Sequence, residues 1–294
     1  MEKNMKIAIM TDSNSGITPS EATKLGIFVV PMPFLIDGEE YYENINLSQD
    51  EFYQKLATSD SVSTSQPSIF AVGELWEDIL KTHDQIVYIP MSRGLSGSVE
   101  TAINHAKNYQ DKVQVVDNRR ISLTQKQSVL DALYLASQGK TAQEIKKALE
   151  DDALLASIYI MVPTLKYLKK GGRITPLVAA LGSMLSIKPV LQIQGDKLDK
   201  FANVVTVVQG KKRMISQAIA DIKTRFAELL AQNKLQVSLA YTNCKEKCLE
   251  FKEEANKELL QVGLQVEWVD PLSLSVASHI GDGALAIAVT KKLN

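Results

Sequence analysis

Small hydroxyl residues and glycines are concentrated in residues 91–98, which read Met-Ser-Arg-Gly-Leu-Ser-Gly-Ser. The apolar run 86–90 before them predicts a buried strand, and residues 99–108 after them predict a helix. Backbone N–H groups at a helix N-terminus have no partner within the helix, and the helix dipole is positive there. The junction is therefore a candidate anion site with Ser96 as a hydroxyl donor, although a plain N-cap explains Ser96 equally well.

A second hydroxyl cluster, Thr-Ser-Gln-Pro-Ser, occupies residues 64–68. Its proline restricts the backbone, so the neighbouring hydroxyl groups can be held toward a ligand. Capping of the helix predicted to begin at Ser68 would use one of the three hydroxyl groups. Ligand binding by Thr64 and Ser65 and simple helix capping are both compatible with this pattern.

Two further motifs place a basic side chain beside a pair of glycines. In residues 279–284, His-Ile-Gly-Asp-Gly-Ala, two glycines let the backbone turn sharply and can aim His279 inward. Gly171 and Gly172 end a predicted helix, which leaves Arg173 exposed near an opening. An exposed arginine suits a phosphate or an acidic partner, whereas a solvated arginine and a partly exposed histidine are the ordinary alternatives.

The serine-rich junction matches neither of two motifs known for catalysis or phosphate binding. A nucleophile elbow needs glycine where Ser98 stands, and a P-loop needs a lysine that this segment lacks. Two alternative functions still follow from the same residues. The first is a hydrolase or acyl transferase that uses Ser96, His279 and Asp12, and the second is a nucleotide or phosphosugar binder that uses the helix N-termini.

Composition limits the classes of partner. A chain of 294 residues is long enough for about two domains, and its formal net charge of −1 offers no basic field for nucleic acid or an anionic membrane. No signal peptide and no apolar run of membrane-spanning length is evident, so we expect a cytoplasmic protein without stable membrane insertion. Cys244 and Cys248, four residues apart in a helical pattern, predict two reduced thiols and no metal site.

Alternation of strand-like and helical runs predicts an α/β fold with two α/β domains, residues 1–160 and 161–294. In the first domain we expect a mostly parallel sheet with helices on both faces. Polar residues that follow its strands, such as Asp12 and Asp117, would then meet at one sheet edge. The second domain is predicted as a mixed sheet with helices, from strands at 187–193, 198–208, 235–241, 266–269 and 284–289 and helices at 214–231 and 245–261.

Several predictions concern single segments. Local patterns predict capping boxes at Thr18, Ser48 and Thr141, one strand over residues 27–36, a polar loop over 59–67, and a solvated charge run at 211–213. Residues 177–185 are apolar and rich in small side chains. Their members that could line a channel, or simply pack in a core, are Ala179, Ala180, Met184 and Leu185.

The motifs together resemble the DegV family, and the resemblance covers essentially the whole chain. The shared motifs, in chain order, are Thr-Asp-Ser at 11–13, Thr-Ser-Gln-Pro at 64–67, Leu-Ser-Gly at 95–97, Gly-Gly-Arg-Ile at 171–174 and His-x-Gly-x-Gly-Ala at 279–284. Each motif alone is weak, but five in this order at these separations are specific. One departure is Asp282, where the family often has proline. The family binds ligands that carry a carboxylate, and the Asp282 carboxylate would repel such a group. Either Asp282 therefore points away from the ligand, or the carboxylate of the ligand is held differently in this protein.

The resemblance implies a tunnel between the two domains that holds a long-chain fatty acid such as palmitate or oleate. By position, the residues implied to bind the carboxylate are Thr64, Ser65, Ser96, Gly97 and His279. Arg173 would lie at the mouth, in contact with a partner or a phosphate. Members like this resemble the fatty-acid-binding subunit of the bacterial two-component fatty acid kinase. Such a subunit has no catalysis and no cofactor of its own. It presents the acid to a separate ATP-dependent kinase subunit, and the acyl phosphate feeds phospholipid synthesis through partners such as acyl phosphate acyltransferases.

Overall fold

The computed structural model of the protein describes residues 5–173 and 187–294, which form two adjoining α/β units. The strands are β1 (Ile7–Asp12), β2 (Phe28–Val30), β3 (Pro33–Ile36), β4 (Glu39–Tyr42), β5 (Val62–Thr64), β6 (Gln85–Ile89), β7 (Val113–Val115), β8 (Ala156–Met161), β9 (Lys188–Ile193), β10 (Leu198–Val204), β11 (Leu235–Tyr241), β12 (Val266–Pro271) and β13 (Leu285–Lys291). The helices are α1 (Pro19–Leu25), α2 (Gln49–Thr58), α3 (Ile69–Leu80), α4 (Ser98–Ala106), α5 (Leu123–Ser137), α6 (Ala142–Asp151), α7 (Lys166–Gly171), α8 (Val207–Lys223), α9 (Ala227–Ala231), α10 (Lys245–Leu259) and α11 (Leu274–Ile280). Among these described helices, none combines the length and the apolar character needed to cross a membrane.

The first unit contains a four-stranded sheet in the order β2-β1-β6-β7, and all of its strand pairs are parallel. Its strands are apolar on both faces. On β6, Val87 and Ile89 pack against α5 and α6, whereas Ile86 and Tyr88 pack against α3 and α4. Parallel sheets need this coverage because their crossover helices lie on the faces of the sheet. The prediction of a parallel sheet with helices on both faces is confirmed.

The second unit contains a six-stranded sheet in the order β10-β9-β8-β13-β11-β12. The β11–β12 pair is parallel and the other described pairs are antiparallel, so the predicted mixed sheet is confirmed. One face is covered by α8 and α10, where Tyr159 and Ile287 pack against Met214 and Phe251. The opposite face is turned toward the first unit and borders a cavity between the two.

A three-stranded antiparallel sheet, in the order β4-β3-β5, extends from the first unit. The prediction of one strand over residues 27–36 is wrong. Strand β2 of the parallel sheet ends before Pro31, and the chain then enters β3 of this antiparallel sheet. Within the predicted polar loop 59–67, β5 pairs Thr64 with Phe34. Three residues are too few to show a period of two, so the sequence did not reveal β5.

The division between the units differs from the predicted boundary at residue 160. Strand β8 begins at Ala156 and pairs with β9 and β13, so the whole strand belongs to the second sheet. The two sheets therefore divide the chain between α6 and β8. Helix α5 bridges the units, because it contacts β1 and β6 of the first sheet and β11 and β13 of the second.

The start of α8 corrects two further predictions. Thr206 opens the helix with a capping box, so the predicted strand 198–208 is too long and the predicted helix 214–231 begins too late. Lys211 is buried on this helix and pairs with Glu254 at 3.0 Å, so the charge run is not simply solvated. The capping boxes predicted in the first unit are confirmed at Thr18, Ser48 and Thr141.

Candidate ligand-binding site

A cavity of about 1220 Å³, measured with its open mouth, lies between the two units. Its wall includes the end of β5, the loop before α4, the end of α7 and one side of α11. The residues to which the family resemblance assigns a carboxylate, partner or phosphate contact all line it: Thr64, Ser65, Ser96, Gly97, Arg173 and His279. They come from separate stretches of the chain, so the tertiary structure is what brings them together.

Thr64 Oγ1 and His279 Nε2 lie 2.7 Å apart and share a hydrogen bond. Thr64 ends β5, whose pairing with β3 holds the backbone in place. His279 lies in α11, whose first turn is capped by the Ser273 hydroxyl. The sequence pattern predicted a glycine turn at His279. Instead the residue lies within a helix, and the turn begins after it at Gly281.

The His279 ring lies directly against the backbone of Gly171 at the end of α7. A Cβ atom at residue 171 would overlap His279 Nδ1, so glycine permits this approach. Tyr167 of α7 packs in the same way against Gly281, where φ is +81°. The two glycine motifs of the sequence therefore act together, because each lets α7 and α11 come close at a point without a side chain.

Burial lowers the pKa of His279 to about 4, and the positive charge of Arg173 adds to this shift. The ring is therefore neutral at pH 7, with one nitrogen able to donate a hydrogen bond and the other able to accept one. Its Nδ1 atom is buried and has no hydrogen-bond partner among the described residues. The site thus offers an imidazole that can take part in a hydrogen-bond chain through Thr64 without carrying a full charge.

The N-terminus of α4 forms a second polar part of the wall. Gly97 is its N-cap residue, Ser96 Oγ lies 2.6 Å from Ser98 Oγ, and the Ser98 N–H donates to Ser96 Oγ at 3.2 Å. Gln66 ties this terminus to the 64–67 segment, because its Oε1 accepts a hydrogen bond from Thr101 Oγ1 at 3.1 Å. The two hydroxyl motifs are thereby linked at the cavity wall.

Ser65 and Arg173 are exposed residues of the cavity wall, which places them at its mouth. Arg173 Nη1 donates to Gly171 O at 2.6 Å. Helix α7 adds the exposed ammonium groups of Lys169 and Lys170 just before it. The mouth therefore carries positive charge, while the groups further inside the cavity wall are neutral hydroxyls and one neutral imidazole.

Three other residues of the second unit lie apart from the polar end. Asp282 is exposed and is not part of the cavity wall. Of the two possibilities that the sequence left open, the structure therefore favours the one in which its carboxylate points away from the cavity. Cys244 and Cys248 are buried free thiols at the start of α10. Burial raises the pKa of Cys248 to about 12, so this thiol is protonated at neutral pH. Within residues 5–173 and 187–294, no group of three or more side chains could hold a metal ion.

The hydrolase alternative requires Ser96, His279 and Asp12 to contact one another, and the hydrogen bonds of the described residues connect none of these pairs. Asp12 instead accepts hydrogen bonds from the backbone N–H groups of Met91 at 2.8 Å and Asn14 at 3.0 Å. Burial raises the pKa of Asp12 to about 6. Asp12 therefore fixes the backbone of the loop after β6 through its hydrogen bond with Met91, and it makes no hydrogen bond with His279.

The second sheet forms an apolar floor for the cavity. Ile158 and Ile160 on β8 lie beside Ala288 and Ala286 on β13, and Ala240 on β11 lies on the other side of Ala286. The residues between them face the opposite core, as the period of two requires. Small side chains at alternate positions of β13 leave open space on one face. The alternation of small side chains is visible in the sequence, but it does not show whether these side chains border open space or a neighbouring side chain.

Residues from the first unit and from a strand end complete the described apolar wall. Met32, Met91 and Ile121 form a buried cluster there, with Leu95 and Ile193 against it. Some predicted residues lie outside the part of the chain that the structure describes. They are the predicted channel residues Ala179, Ala180, Met184 and Leu185, together with Ile174 of the fourth motif. The described cavity thus joins a hydroxyl-bearing end to a larger apolar body.

Fold and site together define a two-unit α/β protein with an apolar cavity between its units. The chain belongs to the DegV family. The sequence model of that family, described as "Uncharacterised protein, DegV family", matches residues 6–292. The resemblance carried by the five motifs is thereby confirmed.

Relatives extend over nearly the whole chain. A DegV domain-containing protein of Streptococcus pyogenes serotype M6 is 30% identical, over 98% of this chain and 100% of its own. A solved structure described as fatty acid binding of a DegV family protein from Thermus thermophilus is 26% identical, with a TM-score of 0.85 over 98% of this chain and 100% of that chain. DegV of Bacillus subtilis, described as a fatty acid binding protein, is 26% identical with a TM-score of 0.82 over the same shares. A stearic-acid-binding protein from Eubacterium ventriosum, 22% identical over 97% of this chain and 98% of its own, has the same fold with a TM-score of 0.86.

Proposed function

We propose that this protein binds one long-chain fatty acid, such as palmitate or oleate, in the cavity between its units. The residues that bind the carboxylate are Thr64, Ser65, Ser96, Gly97 and His279. The observation that carries the proposal is a single cavity whose wall joins these residues to a floor of isoleucine and alanine side chains. The fatty-acid-binding DegV proteins of Thermus thermophilus and Bacillus subtilis support the same class of ligand.

The dimensions of the floor suit a long acyl chain. The floor crosses five strands, from Leu198 on β10 to Ala240 on β11. Four spacings between neighbouring strands amount to about 19 Å. An extended chain of about 16 carbons has a similar length, because its bonds are about 1.5 Å long and zigzag along the chain. The floor can therefore accommodate most of the tail of palmitate or oleate.

The tail supplies most of the affinity, and the head contacts fix the orientation. Burial of about 14 methylene groups at about 0.8 kcal/mol each contributes about 11 kcal/mol before the costs of association. Each hydrogen bond to the charged head contributes about 1.5–3 kcal/mol. Hydroxyl groups and a neutral imidazole hold the carboxylate without a bidentate arginine, which leaves its oxygens free to attack a phosphate donor.

We further propose that the protein presents the carboxylate to a separate ATP-dependent kinase subunit and has no catalysis or cofactor of its own. Arg173 is exposed at the mouth, where it contacts that partner or the phosphate being added. The resulting acyl phosphate serves phospholipid synthesis through acyl phosphate acyltransferases. In this proposal the protein works in the cytoplasm.

Mass spectrometry of lipid extracted from the purified protein tests the ligand. We expect about one long-chain fatty acid per chain, or stoichiometric uptake of labelled palmitate or oleate by delipidated protein. Protein that emerges empty and takes up no labelled acid would refute the proposal. Protection from thermal unfolding by ATP, without protection by palmitate or oleate, would instead favour the nucleotide binder.

A reconstituted kinase assay tests presentation separately from binding. Protein loaded with labelled oleate is incubated with a fatty acid kinase subunit and ATP, and the acyl phosphate is trapped with hydroxylamine. Arg173→Ala should bind oleate normally and lower transfer about tenfold, as expected for loss of a charge-assisted contact. Lys24→Ala, an exposed cation outside the cavity wall, is the control. Absence of transfer with the wild-type protein would refute the kinase role and leave fatty-acid binding standing.

A further inference from the structure

A second cavity, of about 840 Å³ with its open mouth, lies between α5 of the first unit and the β11–β12 edge of the second. Its described wall shares no residue with the fatty-acid cavity. On β11, Gln236 belongs to the second cavity and Ala240 to the first. These residues face the same side of the sheet and are about 13 Å apart along the strand. The two cavities therefore lie on one face of the second sheet without overlapping.

Three wall residues of the second cavity are polar and almost completely buried. Gln236 is 2% exposed, Asp131 is 3% exposed and Gln127 is 4% exposed. Gln127 Nε2 donates to Asp131 Oδ1 at 2.9 Å, and Gln236 Nε2 donates to Ser238 Oγ at 3.1 Å. The carbonyl oxygens of both glutamine side chains accept no hydrogen bond from the described residues. Both residues line the cavity, so these oxygens are available to accept a hydrogen bond from a molecule bound there.

These acceptors are held in fixed positions. Asp131 Oδ1 also accepts a hydrogen bond from the Leu293 N–H at 2.9 Å, which holds the chain after β13 beside α5. Helix α5 buries polar side chains along much of its length, including Gln127 and Asp131. Apolar residues are the ordinary choice for a helix buried between two sheets. Gln127 and Asp131 therefore give this part of α5 a polar surface toward the cavity.

Aromatic rings and the balance of charge limit the ligand further. Tyr134 and Trp268 line the cavity, and Lys126 Nζ lies 5.3 Å from the centre of the Trp268 ring. Among the described wall residues the one cation is Lys292, which pairs with Glu267 at 2.7 Å. A wall without an unpaired cation disfavours phosphates and carboxylates. Carbonyl acceptors beside aromatic faces favour a planar ring that carries N–H donors.

We propose that this cavity binds a neutral planar heterocycle of the nucleobase or nucleoside class. Ring N–H or amino groups donate to the side-chain oxygens of Gln127 and Gln236, and the ring stacks against Trp268. Glutamine amides recognise base edges in this manner, and aromatic side chains are the usual stacking partners of bases. The ligand would contact both units of the protein without touching the fatty-acid carboxylate.

NMR titration of the purified protein with adenosine, guanosine, cytidine and uridine tests the site. The chain has two tryptophans, Trp76 and Trp268, so their indole N–H signals can be assigned with the variant Trp268→Phe. We expect at least one nucleoside to shift the Trp268 signal in a saturable way and to leave the signal of the fully buried Trp76 unchanged. If none of the four shifts the Trp268 signal at millimolar concentration, the proposal is overturned.

Gln236→Leu is the matched site variant, because leucine has a similar volume and lacks the acceptor. Its affinity for the responding nucleoside should fall about tenfold or more, since a buried donor left unpaired weakens binding by this order. Gln54→Leu, at an exposed position of α2, should bind like the wild type. Gln127→Leu serves the same test if Gln236→Leu does not fold. Equal binding by the wild type and a folded site variant would overturn the proposal.

Discussion

The two walls of the cavity between the units are built in different ways. The first unit contributes hydroxyl groups at the ends of elements, with Thr64 at the end of β5 and Ser96 just before α4. The second unit contributes the floor from regular strands, where Ile158 and Ala286 alternate with residues of the opposite core. The polar end depends on a few side chains in defined positions, whereas the floor depends on available volume. Changes in the floor should therefore affect tail binding most, and changes at the polar end should have smaller effects.

The largest effect is expected from Ala286→Phe in the floor. Residue 286 lies between Ile160 and Ala240, and a phenyl ring there would take the space of several methylene groups. Loss of about four methylene contacts at about 0.8 kcal/mol each weakens palmitate binding roughly 200-fold. Titration calorimetry on delipidated protein measures this change. Ala220→Phe, at an exposed position on α8, is the control, and equal palmitate affinity in both variants would show that residue 286 does not contact the tail.

The next prediction compares two titrating residues, one from each unit. Burial raises the pKa of Asp12 from 3.8 to about 6. The contribution of the protonated Asp12 carboxyl group to the free energy of unfolding is therefore complete below pH 3.8, and it is lost as the pH rises through 6. Burial, with a contribution from Arg173, lowers the pKa of His279 from 6.5 to about 4. The unfolded chain then binds a proton that the folded protein does not, so stability is lost as the pH falls from 6.5 through 4. Each shift corresponds to roughly 3 kcal/mol, and the two changes oppose each other.

Variants of these two residues should separate the opposing changes. Between pH 4 and pH 7, the free energy of unfolding of Asp12→Asn should rise by roughly 3 kcal/mol relative to that of the wild type. His279→Gln should show the opposite slope over the same range. Urea denaturation at several pH values measures both differences. A difference that stays flat with pH for both variants would contradict the prediction.

A smaller effect is expected from Thr64→Val at the polar end. Valine keeps the shape of the side chain, but it removes the hydroxyl that lies 2.7 Å from His279 Nε2. Loss of one hydrogen bond to a charged head, about 1.5–3 kcal/mol, should weaken oleate binding about 10- to 150-fold. Binding of methyl oleate should change much less, because the ester carries no charge. Thr58→Val, exposed at the end of α2, is the control, and an equal loss for acid and ester would count against a head-group role for Thr64.

The smallest effect is expected from Ser96→Ala. The hydroxyl of Ser96 already shares a hydrogen bond with Ser98 Oγ at 2.6 Å, so Ser98 can take over part of its role. Oleate affinity should fall about 2- to 12-fold, which corresponds to the roughly 0.5–1.5 kcal/mol of one ordinary hydrogen bond. Fluorescence displacement assays resolve a change of this size. A loss larger than that of Thr64→Val would move the main head-group contact from β5 to the N-terminus of α4.

Sequence patterns predicted the fold class, and they singled out the polar residues that line the cavity, but they did not reveal the cavity floor. Strand–helix alternation in the first unit and the capping boxes at Thr18, Ser48 and Thr141 are local patterns, and the structure confirms them. Strand β5 was missed because three residues show no periodicity. Helix α11 was missed because the glycines after it suggested a turn. The floor was missed because an alanine in a strand pattern does not tell whether its neighbour is a side chain or open space.

Residue order alone determined which chemical groups this protein carries, and near which strand and helix ends many of them lie. Hydroxyls, glycines and apolar alternation are properties of short segments, and backbone sterics and capping act over the same short range. Only the tertiary structure decided that Thr64 meets His279, that Asp12 faces the backbone of Met91, and that the alanines of β13 border a void. These outcomes depend on how two sheets from distant parts of the chain pack against α5. Local sequence patterns extend over a few residues, so they do not determine this packing.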